Sequence, residues 1–118
     1  MNLTPDILET AYELLRLTKP FSAWHLPVAD DVEFCITRAK DYCAKFQYQN
    51  VEPHHHRLNF SSHFIGRLET LLPLMAHEMI HIREFQLGAR NDVAHGKLFH
   101  RLWSQVCRVH GFDEKYFS

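Results

Sequence analysis

His77-Glu78-Met79-Ile80-His81 is the stretch of this 118-residue sequence with the clearest capacity for chemistry. Helical side chains four residues apart project from one face, one turn apart, so the imidazoles of His77 and His81 can reach a single metal ion. Glu78 sits about 100° round the helix from His77, where it can hold a metal-activated water without entering the coordination sphere. Zinc suits such donors, and to act on water it needs a third protein ligand and one open position. The nearest candidate for that ligand is His95, which follows Gly88 and a polar turn that let the chain reverse. Its rivals are His54, His55, His56, His63, His100 and Asp92. His100, five residues past His95, points in another direction on a helix.

The segment around the motif carries Leu71, Leu72, Leu74, Met75, Ala76, Met79, Ile80, Ile82 and Phe85, leaving no polar face. That describes a central buried helix over residues 70–86, in which two histidines and a glutamate must be satisfied by something. Pro73 belongs in the first turn of such a helix, which puts the N-cap near Thr70, and Gly88 ends it. A last helix is predicted over residues 95–110, opening at His95, with Leu98, Leu102, Val106 and Val109 inward and Gly111 as its stop. At the N-terminus, Thr4-Pro5-Asp6 reads as an N-cap, a first-turn proline and a carboxylate against the helix dipole. Ile7, Ala11, Leu14 and Leu15 continue it as an amphipathic helix over residues 5–17, stopped by Lys19-Pro20. Residues 21–31, with Trp24 and Leu26-Pro27, form an ordered connector.

Between these helices the period changes to two. Residues 32–37, 43–49 and 57–61 alternate apolar and polar side chains, and residues 50–56, with Pro53, separate the last two as a hairpin loop. Three short strands in succession predict a small antiparallel sheet. The expected fold class is α+β: an N-terminal helix, a three-stranded antiparallel sheet, the central helix and a C-terminal helix. His54-His55-His56 reads as a polar hairpin tip. Cys35, Cys43 and Cys107 lack zinc-site spacing and read as small core or half-buried residues, and Trp24 and Trp103 as core.

The chemistry-bearing residues also resemble a known family. His77-Glu78-Met79-Ile80-His81, then Asn91-Asp92, then His95-Gly96-Lys97-Leu98-Phe99 are similar to the H-E-x-x-H…H-G-x-x-F signature of SprT-like zinc metalloproteases, whose Spartan members degrade proteins crosslinked to DNA. Val32-Glu33-Phe34, Tyr42-Cys43-Ala44 and Leu58-Asn59-Phe60-Ser61 resemble the strands preceding the helix in that family, so the likeness covers roughly residues 24–110. It implies a minimal zincin-like domain over residues 1–118, with His77, His81 and His95 as zinc ligands and Glu78 as the catalytic acid/base. The departures are Pro73 with the longer approach over residues 68–76, and the lack of a Cys-x-x-Cys pair, which implies that the zinc-ribbon module accompanying many members is absent.

The expected activity is zinc-dependent peptide hydrolysis: the ion lowers the pKa of its water from about 15.7 toward about 7, and Glu78 moves the proton. Tyr48, Arg90 and His100 are the candidates for stabilising the oxyanion. Composition sets the other bounds. A length of 118 with 46% hydrophobic residues fits one packed domain. The longest apolar run, residues 71–76, is far short of a membrane span, and the first twenty residues lack a signal-peptide layout. Three widely spaced cysteines fit a reducing cytoplasm. The net charge of -1 excludes a strongly basic nucleic-acid binder, but it hides a split. Residues 1–52 carry five basic and eight acidic side chains (-3), residues 53–110 seven and four (+3), and the last eight residues add -1. The predicted partner is a protein substrate, and the basic second half leaves room for weak DNA contact. The competing function is a nucleic-acid-associated binding protein with a structural zinc. A third, an H-x-x-x-H…H endoribonuclease, normally lacks glutamate at the second position.

Overall fold

Thr4 opens the first helix as its sequence predicts. Its Oγ1 accepts a hydrogen bond from the Ile7 amide (3.1 Å), with Pro5 in the first turn, and α1 runs Pro5–Arg16. The computed structural model describes residues 2–48, 56–88 and 95–117. Within them lie β1 (Val32–Thr37), β2 (Ala44–Tyr48), β3 (His56–Ser61), α2 (Leu68–Gln86) and α3 (Lys97–His110). The hairpin loop expected over residues 50–56 falls, apart from His56, outside the described residues, as do His54, His55, Arg90 and Asp92.

The α+β class holds, but the sheet is mixed rather than antiparallel. Its order is β1-β3-β2: β3 pairs antiparallel with β2 and parallel with β1. Strand alternation fixes which side chains share a face but carries no information on pairing direction. Here the third strand slides between the first two. That central position explains why Leu58, Asn59, Phe60 and Ser61 are all buried despite their alternating character. It also leaves β2 as an edge strand lying against α2.

α2 is the centre of the molecule, packed against α1, α3 and β2. Leu71, Met75, Ala76, Met79, Ile80 and Ile82 are all fully buried along it. It begins at Leu68, with Arg67 as N-cap, rather than near Thr70, so Pro73 is its sixth residue. Proline there forgoes only the bond to the Glu69 carbonyl, on a first turn whose Leu68 and Glu69 are exposed to water. α3, by contrast, starts later than predicted: Gly96 is its N-cap, and His95 stands ahead of the helix. Its buried face is Phe99, Leu102, Trp103, Val106 and Cys107, whereas Val109, expected inside, is exposed. Gly111, at φ 76°, closes the helix through its amide to the Cys107 carbonyl (2.8 Å).

The connector between α1 and β1 is as ordered as its composition suggests. Phe21, Trp24, Leu26 and Ala29 are buried, the Tyr12 hydroxyl donates to the Pro27 carbonyl, and Glu13 accepts from the Ala29 amide (2.7 Å). His25 sits in the left-handed region (φ 54°), a conformation costing about 1 kcal/mol for a non-glycine residue. The last turn of α2 holds it there: Arg83 donates to the Trp24 carbonyl and Gln86 to that of His25 (2.9 Å). Among the described residues no helix is long and apolar enough to cross a membrane.

In α1 the inward residues are Leu8, Ala11, Tyr12 and Leu15: Ala11 and Leu15 are as predicted, whereas Leu8 and Tyr12 take the places expected of Ile7 and Leu14, and Leu14 is 54% exposed. Leu8→Ala should therefore lower stability by about 2–5 kcal/mol, and Leu14→Ala by less than about 0.5 kcal/mol, in urea unfolding. The reverse order would contradict this packing.

Candidate metal centre

His77 and His81 project from consecutive turns of α2, and His95 approaches from the residue pair that precedes α3. The His77 Nε2 lies 3.3 Å from the Nε2 of His81 and 3.1 Å from that of His95, and one nitrogen from each of the three falls within 4.8 Å of the others. Separations of 3.1 and 3.3 Å are those of donors that can share one metal ion. Three histidines are thus close enough to bind one metal ion. They are the only such group among the described residues. Of the rival ligands that are described, His63 and His100 are exposed and outside the group, and His56 lies among the rings of Phe46, Tyr48 and Phe85.

The histidine rings rest on a common floor. Phe99, fully buried on the first turn of α3, stacks on His95 (centroids 4.3 Å apart) and on His81 (5.2 Å), and tilts against His77 (4.9 Å). This ties the Phe99 position to His95: one residue anchors the turn that delivers the other. On the far side Phe46 of β2 stacks parallel to His81 at 6.5 Å. A cleft of about 350 Å³ opens between them, walled by Ala44, Lys45 and Phe46 on the strand side and by His77, Glu78, His81 and His95 on the other. Burial falls from His77 through His81 to the exposed His95, so the donors are reached from solvent at one end.

Glu78 is nearly fully buried beside the group, with Oε2 3.7 Å from the His77 Nε2. That is the spacing of an ion pair, but not its charge state. Burial pushes the Glu78 carboxyl up to about 8, against the pull of the Phe46 backbone N–H that donates to it. Burial, with His81 and His95 adjacent, pushes His77 down to about 3. Without metal, both therefore stand neutral at pH 7. The strand register explains the Phe46 contact. The Ser61 amide donates to the Cys43 carbonyl, which makes Lys45 and Gln47 the next residues whose backbone groups face β3. The N–H and C=O of Ala44 and Phe46 accordingly turn outward, toward the cleft.

One neighbour of the site went unread in the sequence. Glu84, 9% exposed, places Oε1 2.8 Å from the His81 Nδ1. Burial drives the Glu84 carboxyl up and His81 down to about 4, so the imidazole is neutral at pH 7. The readable signal was its place three residues after His81 on a helix with no polar face. Among the suggested oxyanion partners, Tyr48 stacks on Phe85 (4.2 Å) and His100 lies edge-on to Phe99, neither among the residues lining the cleft, and Arg90 is outside the described residues. The chain matches no model of a known protein family, and none of the curated proteins is a significant match to it.

These shifts have a signed consequence for the metal-free protein. The unfolded chain takes up protons on His77 and His81 below about pH 6.5 while the folded one does not, so stability falls as pH drops from 6.5 toward 4. Glu78 works the other way: between its ordinary 4.5 and about 8 the folded state keeps a proton that the unfolded chain has released, so stability falls as pH rises. Glu78→Gln should remove the second slope and leave the first, making the chelator-treated protein more stable than the parent at pH 8 by on the order of 1–3 kcal/mol. Identical pH profiles for the two in urea unfolding would contradict the burial assigned to Glu78.

Proposed function

We propose that this protein is a zinc-dependent endopeptidase of SprT-like type that hydrolyses peptide bonds with a water activated by Glu78. The observation carrying the proposal is the meeting, in one solvent-open cleft, of three imidazole nitrogens with a buried carboxyl beside them. The intact H-E-x-x-H and the later His95-Gly96-Lys97-Leu98-Phe99 support the family reading. A purely structural site would need no Glu78 and would normally close with a fourth protein ligand.

His77, His81 and His95 would hold a divalent ion, which would supply Lewis acidity and a water far more acidic than bulk. Glu78 supplies the proton movement. Its carboxyl, raised by burial, is drawn back toward neutrality by positive charge beside it, so base and acid forms interchange near pH 7. As a base it takes the proton of the attacking water, and as an acid it returns that proton to the leaving amine. The Phe46 N–H keeps the carboxylate turned into the cleft during this exchange.

The edge position of β2 favours an extended protein segment as substrate. The outward N–H and C=O of Ala44 and the C=O of Phe46, whose N–H serves Glu78, can take such a segment as an added strand along the cleft. Any DNA contact falls on the exposed side of α3, where Lys97, Arg101 and Arg108 stand in a helix without an acidic residue.

Glu78→Gln should keep zinc and lose about 10²–10⁴-fold in cleavage of an unfolded model protein. Turnover at the parent rate would refute proteolysis at this site. His95→Ala should lose zinc under dialysis, and unchanged zinc affinity would remove His95 from the ligand set. Cleavage accelerated by single-stranded DNA and suppressed by salt would assign a role to the basic face of α3; indifference to DNA would leave the protease reading and remove that face from it.

A further inference from the structure

We propose that Glu84 is the positioning residue of the metal centre, holding His81 in the one tautomer and ring orientation that presents Nε2 to a cation. This deepens the metal-site reading and rests on it. The two ring nitrogens of His81 face different neighbours: Nδ1 meets Glu84 Oε1 at 2.8 Å, and Nε2 meets the His77 Nε2 at 3.3 Å. A neutral imidazole carries one hydrogen, and its partner decides where. With the hydrogen on Nδ1, it is shared with the carboxylate and the Nε2 lone pair points into the histidine group. With the hydrogen on Nε2, a lone pair would face carboxylate lone pairs at 2.8 Å and an N–H would stand where a cation must bind.

Packing alone leaves this choice open. The His81 ring runs nearly parallel to those of Phe99 (5.2 Å, 25°) and Phe46 (6.5 Å, 13°). Two aromatic faces fix the plane of a ring but are nearly indifferent to its rotation by 180°, which would exchange Nδ1 and Nε2 for carbon. Glu84 breaks that degeneracy. It is on the same helix three residues on, 9% exposed, and so has little freedom to turn to water instead. A carboxylate hydrogen-bonded to the distal nitrogen of a ligating imidazole also raises the basicity of the other nitrogen.

The test has one readout that needs no metal. Nitrogen-15 NMR of the metal-free protein should find the hydrogen of His81 on Nδ1, and Glu84→Ala should populate the Nε2–H form. Zinc affinity, measured by competition with a chromophoric chelator, should then fall about 10–100-fold in Glu84→Ala. Glu84→Gln, whose amide oxygen can still accept from Nδ1–H, should retain the tautomer and lose less, and it serves where the alanine variant does not fold. An Nε2–H tautomer in the parent overturns the inference. So does parent-like zinc affinity in Glu84→Ala, with the metal site itself standing. A parent that takes up no zinc overturns both readings.

Discussion

Burying polar groups on an apolar helix is the constraint on which the rest of this structure depends. α2 is enclosed by α1, α3 and β2, yet it carries His77, Glu78 and Glu84 inside. An unpartnered amide or hydroxyl in such surroundings costs about 1–3 kcal/mol, and an unpaired charge costs more. The molecule meets this cost locally. Burial holds the Glu78 carboxyl and the His77 and His81 imidazoles in their neutral forms, the Phe46 amide reaches Glu78, and Glu84 stands at hydrogen-bond distance from the His81 Nδ1. What remains is a set of nitrogen donors directed at one another, an arrangement with little to stabilise it except a cation.

The surrounding elements follow from that requirement. β3 between β1 and β2 makes β2 an edge strand, and an edge strand is the only kind that can offer backbone groups to α2 and to a guest at once. α3 contributes through Phe99, whose ring lies against all three histidines, while Trp103 behind it is closed off by its indole donating to the Glu114 carbonyl (3.0 Å). In the same C-terminal half of α2, Arg83 and Gln86 pin the connector at His25. The same helix thus bears a strained clasp at one face and the donors at another.

Much of the site was legible because its signals are local. His77 and His81 are related by helical spacing alone, and His95 by its place fourteen residues past His81, at the start of the predicted last helix. Glu84 was equally local but hidden, since a lone glutamate at the end of an apolar helix reads as its solvated tip. The helix faces of α1 and α3 were read in part: Ala11, Leu15, Leu102 and Val106 are buried as expected, but Leu14 and Val109, as apolar as the residues that pack, are exposed. Tertiary contacts, not hydropathy, choose Leu8 and Cys107 over them. Pro73 misplaced the start of α2, since a proline fits a second turn whenever the freed carbonyl lies at an exposed end. The parallel pairing of β1 with β3 was out of reach: alternation in residues 32–37 and 56–61 is the same for either direction, and the choice is made where the chain crosses over.

The central claim is that three imidazoles and one exchangeable position make up the metal site. X-ray absorption at the zinc edge of the purified protein tests it most directly. The account predicts a four-coordinate ion with three imidazole nitrogens and one oxygen at about 2.0–2.1 Å, with the multiple-scattering pattern of histidine. A sulfur shell at about 2.3 Å, or a six-oxygen shell without imidazole scattering, would contradict it.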